Sequence, residues 1–271
     1  MNPLKQLNRA VKRLFSLTHF RTGDIRFQCN ICKSQSRVPS VRIGRELVSC
    51  RCGSTVRMRA LVHVLSVRLF GSSMAIADMP HRPDLVGVDM SGSESFAKHI
   101  RERLGYTNTY LHQAPCLDIV APPEEWLSCC DFVISSDVFE HVGTPVSRAF
   151  ENTLRLLKPG GVFVLTVPYS LEDQTREHFP DLHLYQFEQR GGKRVLVNRT
   201  RQGVVQEFDQ LVFHGGDGDT LEMRVFSEAG VLQELQSAGF TDVHIHNESV
   251  PEFGIHWPEP WSLPISARRP G

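Results

Sequence analysis

Two groups of residues in this chain of 271 have types and spacings that could do chemistry. The first is a set of cysteines. Cys29-x2-Cys32 and Cys50-x-Cys52 are separated by 17 residues. Thiolates from two such short knuckles can close a tetrahedron around Zn2+, with the intervening chain forming a ribbon between them. The C-x-C half is tighter than the commoner C-x2-C. Four ligands leave no open coordination position, so a structural metal is expected. It would supply stability that a fragment of about 30 residues cannot draw from its own core. The second group is acidic and imidazole-bearing. Asp89, Asp118 and Asp137 each stand at or just past the end of an apolar strand candidate. His141 follows the last of them, and a later polar stretch holds His178, His183, Tyr185, His214 and Glu222.

The elements that must position these groups follow from periodicity. Residues 1–22 read as a basic amphipathic helix, with Leu4, Leu7, Val11, Leu14 and Phe15 on one face. Residues 23–56 are the expected zinc ribbon. Arg57 to Phe70 has the helical spacing of Leu61, Val64, Leu65 and Leu69. From about residue 84, apolar strands alternate with helices, the pattern of a parallel sheet with crossover helices. LVGVDMS (85–91), YTNTYLH (106–112), DFVISSDV (131–138) and VFVLTVPY (162–169) are strands. ESFAKHIRERLG (94–105) and PVSRAFENTLRLL (145–157) are helices. Residues 170–225 break the rhythm and read as an inserted lid or hairpin, with strands at VLVN and LVFH before GGDGD. The alternation returns with FSEAGVLQELQSAGF and VHIH (243–246). A Pro/Trp-rich tail, 251–271, is expected to pack as extended chain outside the main domain of 57–250.

Charge is unevenly placed. The chain has 30 basic and 30 acidic residues, 41% hydrophobic content and no run of about 18 apolar residues. A disordered chain and a helical membrane protein are thereby excluded. Residues 1–70 carry 14 basic and two acidic residues, a net +12, and the remainder carries −12. Such asymmetry marks two modules with different partners, or one docking on the other. Seven cysteines, an odd number, and the absence of a secretory signal fit a reducing compartment, and a cytoplasmic location is expected. The acid-free N-terminal helix suits docking or peripheral contact with a membrane surface, and its composition also suits an organelle presequence.

Asp131-Phe-Val-Ile-Ser-Ser-Asp137-Val-Phe-Glu140-His141-Val, followed by Arg155-Leu-Leu-Lys-Pro-Gly-Gly161, resembles the fourth- and fifth-strand signature of class I S-adenosylmethionine-dependent methyltransferases. The likeness runs over 84–169 and more loosely to about 246. With the cysteine ribbon ahead of it, the chain resembles a bacterial subgroup of the type 11 methyltransferases. The resemblance implies an α/β fold with a doubly wound, Rossmann-like sheet, carrying a small N-terminal zinc ribbon. It implies S-adenosylmethionine as cofactor, with contacts at Gly87, Asp89, Ser91, Gly92, Asp118, Ile119, Ser136 and Asp137. In an open doubly wound sheet, ligands bind beyond the carboxyl ends of the strands where strand order reverses, which independently puts the three acids on one rim.

The family's D-x-G-x-G-x-G loop is replaced by Gly87-Val-Asp89-Met-Ser91-Gly92-Ser93, and two registers follow. In the first, LVGVDMS is strand one and YTNTYLH strand two, with His112 and Gln113 where a ribose-binding acid is expected. In the second, GVDMS is strand two, Asp89 holds the ribose, and HVLSVRLFGSS is strand one. The first is preferred, because the second buries Arg68 unpaired.

Methyl transfer from a sulfonium is an in-line displacement, and a base is needed only when the acceptor must lose a proton. His141, His178 and Tyr169 are the candidates for catalysis, and the lid for acceptor selection. The leading reading is O- or N-methylation of a small molecule or saccharide, with the ribbon serving docking or dimerisation. The second is an RNA methyltransferase whose ribbon grips phosphate through Arg51, Arg57 and Arg59. Only Phe15, Phe20, Phe27 and Phe70 offer stacking surfaces there. The third is a non-catalytic scaffold, suggested by the degenerate glycine loop.

Overall fold

The computed structural model describes residues 23–214 and 220–271. The expected helix over 1–22 and the GGDGD segment (215–219) lie outside the described residues.

A hairpin, β1 (Asp24–Gln28) and β2 (Gln35–Pro39), carries the first cysteine knuckle at its turn. The second knuckle leads into helix α1 (Val56–Phe70). Thr55 starts this helix by accepting from the Met58 backbone N–H, and Gly71 ends it in the left-handed conformation at φ 76°. Then come β3 (Arg82–Met90), α2 (Glu94–Ile100), β4 (Leu104–Thr109), β5 (Cys130–Ser136), α3 (Ser147–Leu156) and β6 (Leu157–Thr166).

The main sheet has the order β15-β16-β6-β5-β3-β4, where β15 is Thr241–Ile245 and β16 is Ile265–Arg268. β3, β4, β5 and β6 are mutually parallel, and β16 runs against both its neighbours. Side chains alternate across this sheet with period two. Phe132, Ile134, Val162 and Val164 face α1, α2 and the ribbon. Val88, Val133, Phe163 and Leu165 face α3 and α4 (Glu228–Ser237). The architecture is therefore helix–sheet–helix, and the ribbon residues Phe27, Cys29 and Ile31 belong to one of its two large cores.

The order settles the register. β3 lies between β4 on one side and β5 on the other, so the chain winds away from it in both directions. LVGVDMS is thus strand one and YTNTYLH strand two. The segment HVLSVRLFGSS, strand one in the other register, is largely α1, and Arg68 on it pairs with Asp242 at 2.5 Å.

Two expectations about the boundaries change. The tail does not stay outside the domain, because β16 is an interior strand of the main sheet. The insertion is more elaborate than one hairpin. It contains β7 (Tyr169–Ser170), β8 (Arg176–Glu177), β9 (Leu184–Arg190), β10 (Lys193–Arg199), β11 (Val205–Phe208), β12 (Phe213–His214) and β13 (Thr220–Leu221), and leads to β14 (Arg224–Ser227). β9, β10 and β11 form their own antiparallel sheet. Phe179, Leu196 and Leu221 give the insertion a small core.

Candidate active site

A cavity of about 1230 Å³ opens where β3 and β5 end, at the reversal of strand order. Three walls come from loops after parallel strands, a fourth from the N-terminal module and a fifth from the insertion.

The loop after β3 supplies Ser91, Gly92 and Ser93. Its shape is held from below and from the side. The Asn108 side chain accepts from the Gly92 N–H and donates to the Gly92 carbonyl, both at 2.8 Å. Beneath the loop, the fully buried Asp89 carboxyl accepts from the Tyr106 hydroxyl at 2.8 Å. A Cβ at Gly92 would stand 2.0 Å from Asp89 Oδ2, so only glycine fits over this carboxyl. Burial pushes the Asp89 carboxyl up to about 7.

After β4, Asp118 closes a turn by accepting from the Val120 N–H at 2.9 Å, and with Ile119 it lines the cavity. After β5 come Ser136, Asp137, Glu140 and His141. Asp137 adopts φ 55° and is gripped by Arg45, whose Nη1 and Nη2 donate at 2.9 and 2.6 Å, and by Arg57 Nε at 3.1 Å. Burial pushes the Asp137 carboxyl up, but hydrogen bonding from Arg45 and the charges of Arg45 and Arg57 hold it below its ordinary value. Glu140, three residues on, is wholly buried and neither of its oxygens has a hydrogen-bond partner. Burial, then repulsion from Asp137, push its carboxyl up to about 8. The His141 Nδ1 lies 2.9 Å from the Leu221 carbonyl. A carbonyl only accepts, so Nδ1 carries the proton and Nε2 the lone pair. Burial lowers the His141 pKa, keeping the ring neutral.

Residues 70–165 match the family model described as a methyltransferase domain. That span runs from the end of α1 through β6 and includes the three strand ends that frame the cavity. Residues 70–165 are thus a methyltransferase domain. No curated protein matches the chain. Among solved structures, a Burkholderia thailandensis 1,6-didemethyltoxoflavin-N1-methyltransferase is similar at 15% identity and TM-score 0.44, covering 79% of this chain and 78% of that one. CalS10, an amino pentose methyltransferase from Micromonospora echinaspora, is similar at 16% identity and TM-score 0.42, over 80% and 92% of the two chains. KedS8, a sugar N-methyltransferase from Streptoalloteichus, is similar at 14% identity and TM-score 0.44, over 78% and 85%. At these scores the similarities decide nothing about the acceptor.

Within the methyltransferase domain, Ser91, Gly92, Asp118, Ile119, Ser136, Asp137 and His141 come together at one cavity. Four other expected residues do not reach it. Gly87 lies under the Phe132 ring, where a Cβ would stand 2.3 Å away, so it serves the close packing of β3 on β5. Asp89 acts on the loop from below. Tyr169 is buried among the core side chains of α3 and α4, with its hydroxyl unpaired. His178 Nε2 is 2.8 Å from Glu222 Oε1, and His214 Nε2 is 2.8 Å from Glu222 Oε2. Glu222 thus ties two parts of the insertion together, and of this trio only His214 faces the cavity. From β9, Tyr185 and Phe187 line the mouth with exposed rings.

Sequence reasoning missed the contribution of Arg45, Glu46 and Arg57 to the methyltransferase cavity. For Arg57 alone the signal was available, in helical spacing. Arg57 and Arg59 are two positions apart and so point to different sides of α1. Arg57 faces the cavity. Arg59 is fully buried in the ribbon, donating to Ser49 Oγ at 3.0 Å and to the Phe253 and Gly254 carbonyls at 2.8 and 3.0 Å.

The four cysteines meet. One sulfur from each of Cys29, Cys32, Cys50 and Cys52 lies within 4.8 Å of all the others. Cys29–Cys52 and Cys32–Cys50 separations are 3.8 and 3.6 Å. A tetrahedral site with Zn–S bonds of about 2.3 Å has S···S edges of about 3.8 Å, so the set fits zinc. Each knuckle turns on a left-handed residue, Lys33 at φ 57° and Gly53 at φ 86°.

Proposed function

We propose that the protein methylates a nitrogen or oxygen of a small-molecule or saccharide acceptor, with S-adenosylmethionine seated against the Ser91–Ser93 loop, Asp118–Ile119 and Ser136–Asp137. The observation that carries this reading is the single cavity at the sheet's switch point. Charged groups such as Arg57 and Asp137 line it together with the exposed Tyr185 and Phe187 rings. Aromatic rings with a few convergent polar groups suit a compact acceptor. His141, neutral and with Nε2 unprotonated 3.7 Å from Glu140 Oε1, is the base we assign for acceptors that lose a proton. The four cysteines hold a structural Zn2+. Metal-binding thiolates together with the unbridged Cys116, Cys129 and Cys130 suit a reducing, cytoplasmic setting. Among the described residues no helix is long and apolar enough to cross a membrane.

A phosphate grip by the ribbon loses two of its three arginines. Arg59 is buried, and Arg57 is bound to Glu46, Asp137 and Ser136. Calorimetric titration of the full chain with S-adenosylhomocysteine tests the proposal, with micromolar-range binding expected. Absence of heat at millimolar ligand would sink it. Once a screen of amino- and hydroxy-sugars yields an acceptor, His141→Gln should lower kcat by about 10²–10⁴ and remove the limb of the pH profile below the usual imidazole value of about 6.5. An unchanged profile would take His141 out of catalysis.

A further inference from the structure

The Arg45 and Arg57 side chains are 19% and 17% exposed, while that of their shared partner Glu46 is 50% exposed. Glu46 Oε1 accepts from Arg57 Nε and Oε2 from Arg57 Nη2, both at 2.8 Å, a two-point carboxylate–guanidinium pair. Arg45 Nη1 also donates to Glu46 Oε1. On their inner side the same two guanidinium groups hold Asp137. Asp137 is fixed further, accepting from Thr166 Oγ1 at 3.1 Å while its backbone N–H donates to the Thr166 carbonyl at 2.8 Å. Glu46 has nothing comparable and sits in a short surface turn, where the Leu47 N–H donates to Gly44 O at 3.2 Å. The arginine pair therefore binds one built-in carboxylate firmly and one exposed carboxylate on a flexible stem.

We propose that Arg45 and Arg57 form a carboxylate-binding subsite and that Glu46 is its tethered placeholder, displaced by the carboxylate of the cofactor's amino-acid end. This rests on the reading that S-adenosylmethionine enters the cavity. The subsite opens into that cavity, since Arg45, Glu46 and Arg57 line it together with Ser136 and Asp137. The charges sort correctly. Asp137 is left to face the ligand's ammonium or sulfonium, and the two guanidinium groups face its carboxylate. No bond is made or broken, because one carboxylate exchanges for another on the same donors. The incoming ligand must compete with Glu46, so its apparent affinity falls with the fraction of time Glu46 is seated.

The test compares two ligands on the zinc-loaded full chain by calorimetry. S-adenosylhomocysteine has the amino-acid end, and 5′-methylthioadenosine has the same nucleoside thioether without it. Glu46→Gln changes an exposed side chain and should tighten S-adenosylhomocysteine about threefold to tenfold, with 5′-methylthioadenosine unchanged. Arg57→Met should weaken S-adenosylhomocysteine by about tenfold or more and leave 5′-methylthioadenosine within about twofold. If Glu46→Gln leaves S-adenosylhomocysteine unchanged, weakens it, or shifts both ligands alike, the placeholder is overturned while the cofactor reading stands. If the wild-type chain binds neither ligand, the cofactor reading fails and the subsite with it.

Discussion

Asp137 and Glu140 stand three residues apart at one end of the same strand, yet their surroundings drive them to opposite charge states. Two guanidinium groups keep Asp137 ionised despite its burial. Glu140 has no donor, and burial with repulsion from Asp137 raises it to about 8. The folded chain therefore keeps a proton on Glu140 that the unfolded chain loses near the ordinary carboxyl pKa of about 4.3. Above that value the unfolded state binds fewer protons, so stability falls as pH rises, and it goes on falling until Glu140 ionises near 8. Asp89, raised to about 7 by burial, adds to the same trend. Glu140→Gln should flatten the fall in Tm between pH 5 and 8 and stabilise the chain at pH 8 by roughly 2–4 kcal/mol. Calorimetric melts of both proteins across that range check it, and parallel curves would contradict it. Gly92→Ala tests the loop. Its Cβ would meet Asp89 Oδ2 at 2.0 Å, so the loop or the carboxyl must move, and S-adenosylhomocysteine binding should weaken by about tenfold or more.

At the scale of elements, what was legible depended on how local the signal is. The strands ending at Met90 and Ser136 carry short apolar runs and turn residues in their own sequence, and they lie within a residue or two of their expected ends. Asp118 and Asp137 follow from these ends, and both line the cavity. Arg45 was illegible because it is brought to Asp137, 92 positions further along the chain, by tertiary packing. Tyr169 and His178 were misplaced because density of titratable groups in a loop does not tell which way each side chain points. The Pro- and Trp-rich tail hid a strand for the same reason. ISAR has too few residues to show a period, and only its pairing with Val162–Leu165 on one side and β15 on the other makes it a strand. Ending the chain after Pro264 should therefore remove an interior strand and expose the edges of β6 and β15. Insoluble or molten product is expected, judged by loss of near-ultraviolet circular dichroism. A truncated chain that melts like the full one would show the strand to be dispensable.

Across the whole molecule, the zero net charge conceals a basic front of +12 and an acidic remainder of −12. Much of the described contact between them is paired internally, through Lys33–Asp78, Arg68–Asp242 and the two arginines on Asp137. The first two pairs are partly exposed, so they contribute little. The stronger tie is apolar. Phe27, Ile31 and Ile43 of the ribbon share one continuous core with α1, α2 and the inner face of the sheet. Arg59 reinforces it, because its guanidinium spans the ribbon serines and the 253–254 carbonyls and lies 4.5 Å over the Phe27 ring. The ribbon cannot come apart without uncovering part of the sheet and withdrawing Arg45 and Arg57 from the cavity. Loss of a metal held by the four cysteines would thus perturb the whole fold rather than an appendage. Chelation by a strong zinc ligand, or Cys29→Ser, should lower a single cooperative melting transition by at least about 10 °C. The same treatment should weaken S-adenosylhomocysteine binding, since the cavity loses one wall. Two separate transitions, with the larger one and the ligand affinity unmoved, would show that ribbon and sheet fold independently.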